Sequence, residues 1–245
     1  MNSVLNISAY RFVALDAPQA LCEDLLHSAG SLGLLGTILL APEGINLFLA
    51  GAQEAVRSFL ARLTADPRFS GLPVKESWSA RQPFRKLRVK VKREIIRMNH
   101  PAVQPAQGRA PAVDALTARR WLDRGQDDAG RPVVTLDTRN GFEADHGSFA
   151  SAIDWRLSRF SEFPQTFEAH RAQLEGKTVI SFCTGGIRCE KAAIYMREAG
   201  LEHVWQLDGG ILGYLQQTGG AHFKGNCFVF DERGALDPQL AAIQG

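Results

Sequence analysis

The sequence contains only four cysteines, at positions 22, 183, 189 and 227. So sparse a set excludes a secreted disulfide framework and fits a reducing cytoplasm. A structural zinc site wants two close ligand pairs; no CxxC is present and the six histidines show no ligand spacing, so no metal is expected. Long apolar runs are also missing. The most apolar window, residues 32–41, is short and broken by glycine, so it reads as core and not as a membrane span. The opening MNSVLNISAY lacks a basic stretch followed by an apolar one, so no secretory leader is expected. Charge of one sign is absent too. Lys and Arg number 28 against 26 Asp and Glu, a net of +2. The molecule is no polycation, and any nucleic-acid role must rest on a local patch. There is no internal repeat and no low-complexity tract.

The first ninety-odd residues alternate two patterns. Residues 7–15 (ISAYRFVAL) are rich in strand formers, and residues 17–30 have helical spacing with Leu21, Leu25 and Leu26 on one side. Residues 34–41 and 45–49 are apolar runs joined by PEG, a hairpin-like turn. Residues 52–64 are helical again, with Val56, Phe59, Leu60 and Leu63 facing one way, and residues 74–78 close the set as a strand. The order β-α-β-β-α-β predicts an α+β domain of the ferredoxin-like, split βαβ kind over residues 1–100.

Residues 81–98 read RQPFRKLRVKVKREIIRM. Leu87, Val89 and Val91 alternate with Arg88, Lys90 and Lys92, a period of two that predicts a strand with one apolar and one cationic face. Arg81, Arg85, Lys86, Arg93 and Arg97 add to the charge, and only Glu94 opposes it. One reading is an edge strand kept from aggregating by its charges. The other is a phosphate-backbone track in which Arg85, Lys86, Arg88, Lys90, Lys92 and Arg93 contact RNA. Trp78 and Phe84 flank the run and invite the thought of base stacking, although core packing is the expectation for each.

Residues 101–112 (PAVQPAQGRAPA) have linker composition. Beyond them a helix over 113–124, a buried strand over 132–136, a helix over 161–174, a strand over 177–182, a helix over 188–199, a strand over 203–207 and a helix over 211–217 alternate. That pattern predicts an α/β domain with a mainly parallel sheet over 113–222, followed by an extension over 223–245.

The chemistry concentrates in CTGGIRCEKA, residues 183–192. A strand leading into this stretch puts Cys183 at the carboxyl end of a parallel strand and just before a helix, where ligands of open α/β sheets collect. N–H groups of a glycine turn and a helix start converge there on an anion. A thiolate is such an anion, so Cys183 should ionise easily and act as a nucleophile. A permanent Cys183–Cys189 disulfide contradicts a reducing setting, whereas a transient one with Cys189 as second thiol stays open. Two inert buried cysteines are the plain alternative, and that reading is applied to Cys22 and Cys227. Asp137 and Arg139 are expected to pair and brace the loop. Glu190 suits the helix dipole, and it and Lys191 are expected in solvent.

These residues resemble the rhodanese superfamily. Asp137-Thr138-Arg139 with Glu143 shortly after, the six-residue loop Cys183-Thr184-Gly185-Gly186-Ile187-Arg188, and Leu207-Asp208-Gly209-Gly210 are its recurrent pieces. Related dual-specificity phosphatases carry arginine six positions after the cysteine, where this chain has Cys189, and the shorter loop suits a single sulfur or oxygen substituent on the thiol. More narrowly, APEGIN (41–46), FRKLRVKVKREI (84–95), DTRN (137–140), CTGGIRCEKA and GNCFVFDERGALD (225–237) together resemble the bacterial rhodanese-domain tRNA uridine(34) hydroxylases. HGSFASAIDW (146–155) is a loose version of the family's glycine and small-residue stretch, and longer members continue past GNCFVFDERGALD into a cysteine-rich region.

The resemblance implies an N-terminal acylphosphatase-like domain, a rhodanese domain and an oxidoreductase of the cytoplasm. Its substrate would be the anticodon region of tRNA, its product 5-hydroxyuridine at the wobble position and its co-substrate molecular oxygen. No further cofactor is evident. Cys183 becomes the catalytic thiol, and Thr184, Gly185, Gly186, Ile187 and Arg188 the loop that holds it. Two alternatives stay open at this point. One is a sulfurtransferase that passes persulfide sulfur from Cys183 to an acceptor. The other is a non-catalytic RNA- or protein-binding module with a redox-sensing thiol pair.

Overall fold

The computed structural model describes residues 4–243. Two compact units divide between Ile96 and Arg97, and Phe230–Arg233 belongs with the first.

The first unit runs β1 (Val4–Phe12), α1 (Pro18–Ser31), β2 (Leu35–Ala41), β3 (Gly44–Gly51), α2 (Gln53–Ala65), β4 (Val74–Ser79) and β5 (Leu87–Val91). The sheet order is β4-β1-β3-β2-β5, with β5 parallel to β2 and the other neighbours antiparallel. Two interleaved βαβ halves yield the first four positions, as the alternation of patterns predicts. Leu5, Ile7 and Ala9 of β1 point to one side, where they meet Leu25 and Ala29 of α1 and Val56, Phe59 and Leu63 of α2 in one apolar core. Leu26, placed on the buried side of α1 by its spacing, is exposed instead. At 100° from Leu25 it lies past the edge of the stripe that Leu25 and Ala29 define.

The second unit contributes β6 (Ala112–Val113), α3 (Ala115–Arg124), β7 (Val133–Asp137), α4 (Gly141–Ala144), β8 (Gly147–Phe149), β9 (Ile153–Asp154), α5 (Phe163–His170), β10 (Thr178–Phe182), α6 (Ile187–Glu198), β11 (Val204–Leu207), α7 (Gly210–Thr218), β12 (Phe223–Gly225), β13 (Cys227–Phe228) and β14 (Ala235–Leu236). Its main sheet, β6-β11-β10-β7-β9, is parallel throughout. β10 is central. Its Ile180 and Phe182 pack with Trp121 of α3 and Ile211, Tyr214 and Leu215 of α7. Ser181 faces the other way, and its hydroxyl donates to the Cys189 carbonyl of α6.

In the first unit the strand read over 7–15 lies at Val4–Phe12, and three readings in the second unit also differ. The helix predicted from 113 starts at Ala115, because Asp114 caps it by accepting the N–H groups of Leu116 and Thr117 at 3.0 and 2.9 Å, and Val113 joins the sheet. The helix predicted over 161–174 is α5 flanked by two short 3-10 turns. Within the 101–112 segment, Ala112 pairs with β11, and the carbonyls of Ala110 and Pro111 accept from the Gln206 side chain and N–H.

Candidate active site

Every residue of β10 is buried, and the strand ends at Phe182 and leads directly into Cys183. The chain turns within Cys183 to Gly186 and enters α6, with Gly186 as N-cap at φ 108°. The Gly186 N–H lies 3.2 Å from Cys183 Sγ. Cys189 Sγ lies 4.0 Å from Cys183 Sγ, and 3.1 Å from the Gly186 carbonyl to which its S–H can donate. All four cysteines are free thiols.

The loop is fastened from two sides. Thr138 donates both its N–H (2.9 Å) and its hydroxyl (2.8 Å) to the Phe182 carbonyl, locking the ends of β7 and β10 together. At the start of α7, the Ile211 and Leu212 N–H groups donate to the Cys183 and Thr184 carbonyls at 2.9 and 3.1 Å. Gly210 makes that approach possible. It sits at φ +62°, and a Cβ there would stand 2.5 Å from the Cys183 carbonyl oxygen and 2.7 Å from the Gly186 nitrogen.

Arg188 is held in a bidentate pair by Glu143, at 2.5 and 2.7 Å. Glu143 has no exposed surface, and its Oε1 also accepts the Asn140 N–H at 3.1 Å. Asp137 and Arg139 pair at 2.6 Å with both side chains fully buried. Arg139 also donates to the Gly147 carbonyl at 2.6 Å, and Ser148 donates to Asp137 at 2.8 Å. This accounts for the polar groups of DTR without any of them touching the sulfur.

Burial alone would raise the Cys183 pKa. The Cys189 thiol, the Arg188 charge and the N–H groups of Cys189 and Arg188 outweigh it and hold that pKa well below the ordinary cysteine value. Cys189 goes the other way. Burial, then the hydrogen bond and charge of Cys183, then Glu190, push it well above. The two shifts favour a thiolate at Cys183 and a proton kept on Cys189, with the sulfurs 4.0 Å apart. Cys227 is also buried, and burial pushes it up to about 12.

The loop residues Thr184, Gly185, Gly186, Ile187 and Arg188 surround one sulfur. Thr184 and Gly185 are the half-buried ones, and the Thr184 hydroxyl oxygen is buried with no hydrogen-bond partner. Glu190 and Lys191, expected in solvent, are buried. Glu190 pairs with Arg109 at 3.0 Å, which compensates its burial at the helix start. Glu143 and Gly210 carry no role that their own sequence neighbourhood reveals. Their spacing from Asp137 and Asp208 was the available signal, but their partners lie 45 and more than 20 residues away in sequence.

Lys86, Arg88, Lys90, Lys92 and Arg93 are exposed, on or beside the edge strand β5. Arg85 is exposed too but pairs with Glu232 at 2.5 Å. Trp78 is not core. It is exposed on β4, at the opposite edge of the sheet from the basic strand. Phe84 is half-buried. Among the described residues, no group of three or more His, Cys, Asp or Glu is placed to hold a metal, and no helix is long and apolar enough to cross a membrane.

The family model for the UPF0176 acylphosphatase like domain matches residues 4–95, and that for the rhodanese-like domain matches residues 118–217. A Variovorax paradoxus protein named tRNA uridine(34) hydroxylase is 66% identical over 242 residues, covering 99% of this chain and 92% of its own length. A Bordetella pertussis protein of the same name is 64% identical over 241 residues, covering 98% of this chain and 99% of its own. One from Delftia acidovorans is 60% identical over 241 residues, with 98% and 92% covered. The chain belongs to the tRNA uridine(34) hydroxylase family. Its two units are thus an acylphosphatase-like domain and a rhodanese-like domain, in that order, as the residue patterns imply.

Proposed function

We propose that this chain hydroxylates uridine 34 of tRNA at C5, with Cys183 as the catalytic thiol and molecular oxygen as co-substrate. The observation that carries this reading is the match, at 59–66% identity over almost the whole chain, to proteins named for that reaction. Loop geometry alone serves sulfur transfer equally well, because a persulfide and a thiolate want the same N–H donors.

The chemistry fits the site. A thiolate beside a fixed guanidinium is a nucleophile at neutral pH. Added to C6 of uracil, it makes C5 electron-rich towards oxygen. Arg188, held by Glu143, and the N–H groups at the start of α6 stabilise the sulfur anion before addition and after release. The unpartnered Thr184 hydroxyl is available to a uracil carbonyl. Cys183 itself has no exposed surface, so the base must be unstacked and the half-buried Thr184–Gly185 rim must yield to admit it. Lys86, Arg88, Lys90, Lys92 and Arg93, with Arg85 at the end of the row, supply the phosphate contacts for the anticodon region. The substrate sets the compartment, and we read the chain as a cytoplasmic enzyme.

The test is nucleoside analysis of tRNA from a strain lacking this protein, re-supplied with wild type or Cys183→Ser. Accurate mass is required, because inserting oxygen and replacing oxygen by sulfur add the same nominal mass. Hydroxylated uridine returning with wild type alone supports the reading. Thiolated uridine in its place shows a sulfur donor to RNA. No change in either nucleoside overturns the assignment to tRNA.

A further inference from the structure

Hydroxylation by molecular oxygen has an electron balance that the addition of Cys183 to C6 leaves open. Turning C5–H into C5–OH uses one oxygen atom. The other leaves as water only when two electrons and two protons arrive. The active loop holds a group able to supply that number: a second thiol whose sulfur lies 4.0 Å from the catalytic one.

We propose that Cys183 and Cys189 together are the two-electron reductant of the reaction, and that Cys189 is its second catalytic residue. The inference rests on the hydroxylase reading above. The net reaction is uridine, oxygen and two thiols going to 5-hydroxyuridine, water and one disulfide. Cys183 adds to C6, and the electron pair released at C5 is taken by oxygen, which with one proton becomes a C5 hydroperoxide. The Cys189 sulfur attacks the distal oxygen. The O–O bond breaks, C5 keeps a hydroxyl and Cys189 becomes a sulfenic acid. Loss of the C5 proton expels Cys183 from C6 and restores the ring double bond. Cys183 then attacks the Cys189 sulfenic acid, forming the disulfide and releasing the second oxygen as water.

Geometry favours this pair over the other cysteines. Sulfurs at 4.0 Å close to a bond of about 2 Å through side-chain rotation and a small loop shift. Cys189 sits in the first turn of α6, on the same loop as Cys183, with its sulfur 3.1 Å from the Gly186 carbonyl oxygen. Cys227, although near enough to feel the Cys183 charge, belongs to the apolar cluster that holds Phe149, Phe182, Tyr214 and Phe223, and Cys22 lies on α1 of the first unit. The division of labour also fits. One sulfur must be an anion to add to carbon, and the other must keep its proton until the hydroperoxide forms. The contact between the two sulfurs, with Arg188 beside it, favours the anion at Cys183, while burial and that neighbouring anion keep the proton on Cys189.

The experiment is a single-turnover count. Reduced full-length protein, freed of external thiol, is mixed in aerated buffer with tRNA from the deletion strain. Hydroxyuridine per chain is measured, and free thiols are alkylated and mapped by peptide mass. Product is expected to stop at one equivalent per chain, in step with a Cys183–Cys189 disulfide, and to resume when dithiothreitol is added. Cys189→Ser is expected to lose about tenfold or more of the single-turnover product, while Cys183, with the serine hydroxyl donating in place of the Cys189 thiol and Arg188 unchanged, still alkylates, which shows the loop is folded. Cys22→Ser should match wild type. Product formed with every thiol retained overturns the proposal. So does full product from Cys189→Ser, or a disulfide that forms as fast without tRNA. If wild type makes no hydroxyuridine even with excess dithiothreitol, the hydroxylase reading falls and this inference falls with it.

Discussion

Replacing Gly210 by alanine should displace the active loop without touching a reactive group. The added Cβ would meet the Cys183 carbonyl oxygen at 2.5 Å, the Gly186 nitrogen at 2.7 Å and the Thr184 carbonyl oxygen at 2.8 Å. All three are backbone atoms of the loop, so no flexible side chain can give way. Gly210 also has φ +62°, where an L side chain costs about 1–2 kcal/mol. Gly125, the C-cap of α3, separates the two effects. Its φ is +68°, but nothing lies within 4 Å of its missing Cβ. Gly125→Ala should therefore cost only that conformational term, about 1–2 kcal/mol. Gly210→Ala carries the same conformational cost plus about 1–3 kcal/mol of overpacking. Urea unfolding followed by tryptophan fluorescence suits the comparison, because Trp121, Trp155 and Trp205 all lie in the second unit. Gly210→Ala should also slow Cys183 alkylation and tRNA modification by about a hundredfold, the usual result of moving a reacting group by an ångström. Equal stability of the two variants, with full alkylation of Cys183 in both, would refute the argument that α7 sets the loop.

The remaining predictions concern charge. Because the Cys183 pKa lies well below the ordinary value and that of Cys189 well above, iodoacetamide should modify Cys183 first. Its rate should persist as pH falls below the usual thiol range and drop only through the lowered pKa; peptide mapping that finds Cys189 modified first contradicts this. On the basic strand, Arg88→Ala and Lys90→Ala should each weaken tRNA binding and reduce the salt slope of log K by roughly 0.7–0.9 per lost phosphate contact. Arg85→Ala should change that slope less, because Arg85 already pairs with Glu232. Filter binding across a salt series checks both, and equal slopes for all three variants would count against the phosphate track.

The N-terminal unit was legible because its information is local. A period of two in 87–91 and stripes on α1 and α2 need only neighbouring residues to be seen. The loop was legible for the same reason, since strand, glycine turn and helix are contiguous from Thr178 to Glu198. Long-range contacts were harder. Glu190 looked like a surface carboxylate because its partner Arg109 lies 81 residues earlier, in a segment whose composition reads as linker. β8 and β12 have three residues each, too few to show a period, and they exist because they pair with each other. Trp78 was placed beside the basic run by sequence, but the strand order puts β4 and β5 at opposite edges.

Arg188 has two roles that one substitution cannot separate, and a double substitution can. It neutralises Glu143 in a buried pair and lends its charge to Cys183. Arg188→Gln removes both. Glu143 is left buried without its counter-charge, a loss of about 3–5 kcal/mol, and the Cys183 pKa rises towards the ordinary range. In Arg188→Gln/Glu143→Gln no unpaired charge is buried, and two amides can hydrogen bond where the ion pair stood, so most of the stability should return. The thiolate should not return, because the positive charge beside the sulfur is still missing. Urea unfolding should therefore show recovery in the double variant, while the pH profile of Cys183 alkylation stays shifted upward in both. Recovery of stability and low-pH alkylation together would mean that Arg188 acts only by holding the loop in shape, and that the N–H groups of Gly186, Arg188 and Cys189 with the Cys189 thiol are enough to keep the catalytic sulfur charged.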